Sequence, residues 1–298
     1  MTPVMEAAGC QEPISARRRQ SVVHLRLRCP ADLRGRFILS MQAKQAVVRY
    51  PEADSTNSLA LELGRQGAAH GTVVVAARQT GGRGRAGRCF VSPSGGLYMS
   101  VILRPALAFA HLRLVTLAAG VACSMVLEKH GIAPLLKWPN DLYCGRKKLG
   151  GILTETAPWS AAPPGVPFVV VGIGLNVNSL PADFPPPLRD LVTSLSEITH
   201  RCHDLDMLRR EIVRQLDSLV AGLERNPETF FSLWRQRDFL LGKNISWQDE
   251  NGLVVHGAGA GLRPDGRYRL RTPDGLIHPI LAGVLKVHPG NQVEPGRS

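Results

Sequence analysis

Apolar residues gather into two kinds of pattern once the chain passes position 46. Unbroken runs bounded by turn residues predict buried strands over 72–78, 97–103 and 168–176, with shorter ones over 47–50, 135–138, 142–144 and 147–155. A helical period predicts a helix over 109–130, where Leu112, Val115, Ala119, Ala122 and Val126 share a face and Gly131 closes the end. A second helix is predicted over 205–223 on Leu205, Leu208, Ile212, Leu216, Leu219 and Leu223, and a shorter one over 227–237. Asp54-Ser55-Thr56 offers N-cap chemistry for a helix running to Arg65.

After Leu241 the texture changes. Short strand candidates over 245–248, 253–260, 268–271, 277–281 and 284–287 alternate with turns such as Pro264-Asp265-Gly266 and Pro273-Asp274-Gly275, the pattern of a small β-barrel. The expected organisation is therefore an α+β body at 46–240, with a mixed sheet flanked by helices, then a β module at 241–290 and a flexible tail at 291–298. Residues 1–45 are punctuated by Pro3, Gly9, Pro13, Pro30 and Gly35 and hold no helical period beyond one or two turns, so a basic, disordered extension is expected. Its Arg-rich, acid-poor start resembles a transit peptide, and Met41 is a candidate alternative start.

Composition sharpens this in three ways. Hydrophobic residues make up 44% of the 298, which excludes low-complexity disorder for the bulk of the chain. No uncharged apolar run is long enough for a membrane span. The net charge of +12 points to anionic partners, but nine basic and three acidic residues in 1–49 supply half of it, so the body is only mildly basic. Six cysteines without a CxxC or a short pairing pattern, and no secretory signal, predict reduced thiols and a cytoplasmic protein. His200, Cys202 and His203 lack a second ligand pair for zinc and read as a polar loop.

Three segments carry chemistry. Gln79-Thr80-Gly81-Gly82-Arg83-Gly84-Arg85-Ala86-Gly87-Arg88 contains a formal G-x-G-x-x-G match. The Cys89-to-Gly96 stretch that follows cannot start the helix a dinucleotide fingerprint needs, and no Gly-Lys-Ser/Thr closes a P-loop, so both readings fail. What remains is a glycine backbone that approaches a ligand closely, interleaved with planar bidentate cations, an anion-binding lid that closes when neutralised. Lys137-Trp138-Pro139-Asn140-Asp141 ends a strand with an amide and a carboxylate, and Lys148 opens the next strand, followed by Gly150-Gly151. Turn chemistry is the plain alternative for Asn140-Asp141. Val169-Val170-Val171-Gly172-Ile173-Gly174-Leu175-Asn176 is a buried strand ending in glycines and an amide, either a core strand or a binding edge.

Together these residues, with Ser55-Thr56-Asn57, Leu153 and Glu155, resemble the biotin protein ligase family in order and spacing over 50–180. Residues 241–290 look like its SH3-like C-terminal domain. The resemblance implies a biotin/lipoate ligase-like catalytic domain that joins biotin to ATP as biotinyl-5′-AMP, then transfers biotin to a lysine of a biotin carboxyl carrier protein, with Mg²⁺ assisting. It implies that Arg85 and Lys148 are catalytic, and that Ser55, Thr56, Asn57, Gln79, Arg83, Gly84, Arg85 and Lys148 bind biotin. Arg83, Arg88, Phe90, Asn140, Asp141 and Asn176 fall on the nucleotide side, with Asp141 the Mg²⁺ contact and no protein-only metal site. Independently, a carboxylate approaching a polyphosphate needs cations between the two.

Two departures stand out. Phe90 takes the place where many members carry a Trp that stacks on adenine, and 282–286 lacks the acidic residue that commonly follows the glycine. Nothing in 1–45 resembles a winged helix-turn-helix, so the monofunctional type without DNA binding is expected. The partners implied are the carrier protein, with no membrane and a homodimer among the allowed states. The competing readings are a lipoate ligase or octanoyl transferase of the same fold, and a DNA-binding regulator using the basic tail.

Overall fold

A computed structural model describes residues 38–42, 45–156, 168–248 and 252–288. The extension at 1–37 and the tail at 291–298 lie outside them. Eight strands form one sheet: β1 (Ile38–Gln42), β2 (Gln45–Tyr50), β3 (Val73–Ala76), β4 (Leu97–Leu103), β5 (Leu135–Lys137), β6 (Asp141–Cys144), β7 (Lys147–Thr156) and β8 (Val169–Leu175). Their order is β1-β2-β3-β4-β8-β7-β6-β5. Only the β2–β3 pair is parallel, joined through α1 (Thr56–Arg65). This is the mixed sheet expected, with one addition. β1 sits inside the stretch read as a tail, because its basic flanks conceal a hairpin partner for β2.

The helical periods produce α2 (Leu112–Lys129), α5 (Leu205–Gly222) and α6 (Pro227–Arg235). Two short helices, α3 (Pro186–Arg189) and α4 (Leu195–Thr199), were not expected from a proline-rich segment without period. The two sheet faces differ in what covers them. Val115, Ala119 and Ala122 of α2 join Ile212 and Leu216 of α5 and the β-residues Met99, Val101, Val171 and Ile173 in the main core. On the other face α1 covers a smaller cluster, Ala60, Val74, Ile102, Phe168 and Val170. The rest of that second face is left for something other than helix.

A five-stranded antiparallel sheet follows, β9 (Asn244–Gln248), β10 (Val254–Leu262), β11 (Tyr268–Arg271), β12 (Ile277–Ile280) and β13 (Val284–Val287), ordered β12-β11-β10-β9-β13. A register shift between Gly259 and Leu262 bends β10, as a small SH3-like barrel requires. Ile245, Tyr268, Leu270 and Ile280 continue the main core into this module. Trp138 donates its indole N–H to Gly266 O at 3.1 Å and lies 6.0 Å from the Tyr268 ring, so the module rests on the Trp138–Asp141 segment.

Cys89, Cys123 and Cys144 are free thiols. Cys202 is disulfide-bonded, against the expectation of reduced thiols throughout. Among the described residues no helix is long and apolar enough to cross a membrane, and no three His, Cys, Asp or Glu side chains gather as a metal site, His200 and His203 included.

Candidate active site

Strand register builds the floor. Tyr98, Gly174, Gly151 and Asp141 face one another across β4, β8, β7 and β6, and Ser100, Gly172 and Leu153 form the next row on the same face. This is the α1 face of the sheet. Three glycines in adjoining positions leave a hollow just beyond the N-terminus of α1. The close approach is real: a Cβ on Gly172 would stand 2.1 Å from Asn57 Oδ1, and one on Gly174 2.6 Å from Phe90 Cε1.

Residues 79–92 roof the hollow. The loop is tied at its base by the Gln79–Ser92 bridge and nearer its tip by Arg83–Cys89, with a turn of 3₁₀ helix at Arg85–Gly87. Gly84 N donates to Arg88 O and Phe90 N to Gly82 O, at 2.6 and 2.8 Å. The loop is thus folded over the hollow. Between roof and floor lies a pocket of about 140 Å³, and a larger cleft of about 660 Å³ opens on the outer side of the loop towards Trp138 and Leu281.

Ser55, Thr56, Asn57, Gln79, Arg83, Gly84, Arg85, Arg88, Phe90, Asn140, Asp141 and Lys148 all line the pocket. Asn176 does not. It is buried, its Nδ2 donates to Thr193 O at 3.0 Å, and its Oδ1 has no partner, so it staples the Thr193 segment to β8.

The polar end is a hydrogen-bond chain of defined sense. Gln79 Oε1 accepts from Thr56 N at 2.9 Å and lies 3.1 Å from Thr56 Oγ1, while its Nε2 donates to Ser92 Oγ at 2.8 Å. Gln79 therefore satisfies the first free amide of α1. Ser55, at the N-cap position, makes no side-chain capping bond, which leaves its hydroxyl to the pocket. Asn57 Nδ2 donates to Leu153 O at 3.0 Å and to Glu155 Oε2 at 2.7 Å. Ser100 Oγ lies 2.6 Å from Asn57 Oδ1 and 2.8 Å from Thr56 Oγ1. Its one proton goes to Asn57, whose amide oxygen can only accept. The Asn57 amide is thus engaged at both ends by protein groups, and it shapes the pocket rather than offering it free hydrogens.

The cationic end is pre-neutralised. Arg83 Nη2 donates to Glu155 Oε2 at 2.7 Å, and Lys148 Nζ lies 2.6 Å from Asp141 Oδ1. Lys148 also stands 5.8 Å from the centre of the Phe90 ring, which lies over Gly174. Partial desolvation holds Arg85 below its ordinary pKa, with Arg88 adding and Asp141 opposing. Burial likewise lowers Lys137, which Lys148 and Arg88 reinforce against the pull of Asp141. Asn140 donates to Ile152 O at 2.9 Å and serves first as a brace between the Trp138–Asp141 segment and β7.

Sequence reasoning passed over Ser100, which is fully buried, and gave Glu155 no role. A serine inside the apolar run of β4 was the available signal. Chemically, the pocket offers hydroxyl and amide groups at one end, a glycine floor, and four cations at the other, a fit for an elongated ligand with a neutral polar head and an anionic tail.

Residues 50–176 match the Biotin/lipoate A/B protein ligase family. The chain is 35% identical to the bifunctional ligase/repressor BirA of Bacillus subtilis over 78% of its own length and 71% of that protein. It is 34% identical to the biotin–[acetyl-CoA-carboxylase] ligase of Paracoccus denitrificans, over 74% of this chain and 92% of that one. The biotin protein ligase of Aquifex aeolicus, solved in complex with biotin and ATP, superposes with a TM-score of 0.70 at 30% identity and covers 82% of this chain and 99% of that one. The chain belongs to the biotin/lipoate A/B protein ligase family.

Proposed function

We propose that this protein is an ATP-dependent ligase that activates biotin as biotinyl-5′-AMP and transfers it to a lysine of a biotin carboxyl carrier protein. The observation that carries the reading is the pocket itself: a closed glycine-floored slot with hydroxyls and amides at one end and Arg83, Arg85, Arg88 and Lys148 at the other. The solved relatives support it, one with biotin and ATP and another, from Helicobacter pylori, with biotinylated ATP.

Biotin's ureido ring takes the Ser55, Thr56 and Gln79 end, and its carboxylate points to Lys148 and Arg85. That carboxylate attacks the α-phosphorus of ATP and pyrophosphate leaves. Arg83, Arg85 and Lys148 screen the approaching anions and stabilise charge in the transition state. Holding both reactants under a closed loop lowers the entropic barrier and keeps water from the mixed anhydride. The lysine amine of the carrier then attacks the acyl carbon, an amide forms, and AMP departs. Among the described residues Asp141 is the one carboxylate lining the pocket, so it would contact a Mg²⁺ that the nucleotide phosphates would chiefly hold. The metal would add positive charge at the phosphates.

The catalytic unit in this reading runs from the start of the eight-stranded sheet to α6, the β module supports it, and residues 1–37 are dispensable. Incubating the protein with ATP, Mg²⁺, biotin and a carrier domain, then weighing the carrier, tests the reading. One biotin added per acceptor lysine is the expected result. Lipoate-dependent, biotin-independent pyrophosphate exchange would replace it with the lipoate alternative.

A further inference from the structure

The row of residues that floors the pocket does not end at Asp141. Lys137 of β5 pairs with Asp141 of β6, so both side chains stand on one face, while Leu136 and Leu142 fill the core on the other. Lys137 is therefore the fifth position of the row that starts at Tyr98 and runs through Gly174, Gly151 and Asp141. It lies two strand spacings from Gly151, roughly 10 Å. Its ammonium stands 5.5 Å from the centre of the Tyr143 ring, which is stacked on Phe239 at 5.0 Å. A ring face answers only part of the need of a group with three donors. Among the described residues no carboxylate forms an ion pair with Lys137, and Asp141 is held by Lys148 at 2.6 Å. Burial disfavours the charge on Lys137, and the repulsion from Lys148 and Arg88 adds to that against the pull of Asp141. Three cations thus gather round one carboxylate.

We propose that Lys137 binds the β- and γ-phosphates of ATP and steadies them as pyrophosphate leaves. This role rests on the proposed ligase reading and adds a residue to it. Asn57 stands over Gly172 of β8 and donates to Leu153 O of β7, so the end that would take biotin's ring lies over those two strands. Lys137 lies at the opposite end of the row, on β5. In adenylation a carboxylate oxygen bonds to the α-phosphorus while the bond to the bridging oxygen breaks, and that oxygen departs with the electron pair. The attacking and leaving oxygens lie roughly in line, so a biotin ring over β7 and β8 sends the leaving group towards β6 and β5. A drug-sized ligand fills about 300–1,000 Å³. The pocket holds about 140 Å³, so biotin and ATP together extend past its lining, which includes Asp141 and Lys148 but not Lys137. Polyphosphate is the most anionic part of either substrate, and its charge offsets the mutual repulsion of Lys137, Lys148 and Arg88.

Calorimetric titration of the full chain with inorganic pyrophosphate and Mg²⁺ reads the site without turnover. Lys137→Met keeps an unbranched stem against Tyr143 and removes the charge. It should bind pyrophosphate about ten- to a hundredfold more weakly, the loss that removing a hydrogen bond to a charged group implies. In biotin-dependent pyrophosphate exchange KM for ATP should rise with it, while KM for biotin stays level. Lys137→Arg should recover most of the binding, and Lys137→Gln serves if the methionine variant fails to fold. Equal pyrophosphate binding in wild type and variant, or none in the wild type, overturns the proposal. So does an equal rise in KM for ATP and biotin, because a merely structural lysine would move both. Lys137-dependent pyrophosphate binding in a protein that biotinylates no carrier would leave the site standing and overturn the ligase reading alone.

Discussion

Lys148 reaches Asp141, 2.6 Å away, because β7 carries one extra residue, Leu149, where it pairs with β6. Register shifts between Leu142 and Tyr143, so that Tyr143 pairs with Lys148 rather than with Leu149. Side chains alternate across a sheet, and without that bulge Lys148 would point to the core face. With it, Lys148 and Asp141 share the pocket face and Leu149 fills the core at 0% exposure.

The pairing makes Lys148 a held cation. Lys148→Ala should lower biotin adenylation by about 10²–10³, the usual cost of removing one donor aimed at developing charge. Arg85→Ala should do the same. Biotin-dependent pyrophosphate exchange measures both, and unchanged exchange in the two variants would discard the site.

Gly172 offers a steric test of the polar end. Its Cβ would meet Asn57 Oδ1 at 2.1 Å, with the Asn57 amide tied to Ser100, Leu153 and Glu155. Gly172→Ala should therefore expel Asn57, destabilising the protein by about 1–3 kcal/mol as overpacked substitutions do. KM for biotin should rise more than KM for ATP. Equal changes in the two constants would show a general loss of structure instead.

Much of this was legible in the sequence. The apolar runs of β4 and β8 and the 3.6-residue periods of α2 and α5 are strong local signals, and the glycine–arginine loop and Trp138-Pro139-Asn140-Asp141 announce themselves by composition. What escaped depends on register or on long-range packing. Ser100 reads as filler within β4 until Gly172 is placed opposite and Asn57 above. The bulge at Leu149 is flanked by Gly150, but a glycine pair beside a pocket signals close approach as readily as a bulge. Asn176 joins the nucleotide side only through the family resemblance; in the structure it lies outside the pocket lining, with its Nδ2 donating to Thr193 O, a contact set by the long-range return of the chain. α3 and α4 lie among prolines with no period to report them.

Ser100 itself should matter through one proton. Ser100→Ala leaves Asn57 Oδ1 buried without a donor, a cost of about 1–3 kcal/mol. Urea denaturation should show that loss, and KM for biotin should rise with kcat changing less. Ser100→Thr, which restores a hydroxyl, should recover part of the stability; no difference between the alanine and threonine variants would place the effect elsewhere.

The last prediction concerns Asp238, which joins the sheet to the β module. Its carboxylate accepts from Tyr268 Oη at 3.1 and 2.9 Å and from Leu240 N at 2.9 Å, while Lys243 supplies the nearby positive charge. Burial outweighs these and pushes its pKa up to about 6. In the unfolded chain an aspartate loses its proton near pH 4, about two units earlier. Between those values the folded state holds more protons, so stability falls as pH rises from about 4 to 6 and is level above. The loss attributable to this one group is on the order of 2 kcal/mol. Asp238→Asn keeps an acceptor for Tyr268 and abolishes the titration, so the stability difference between wild type and variant isolates it from every other carboxyl. Urea unfolding at several pH values from 4 to 7 should show the wild type losing ground to the variant up to pH 6 and holding a constant offset beyond. A flat difference across the range would mean that Asp238 ionises as an ordinary carboxyl, and that its contact with Tyr268 is made in water rather than in the core between sheet and module.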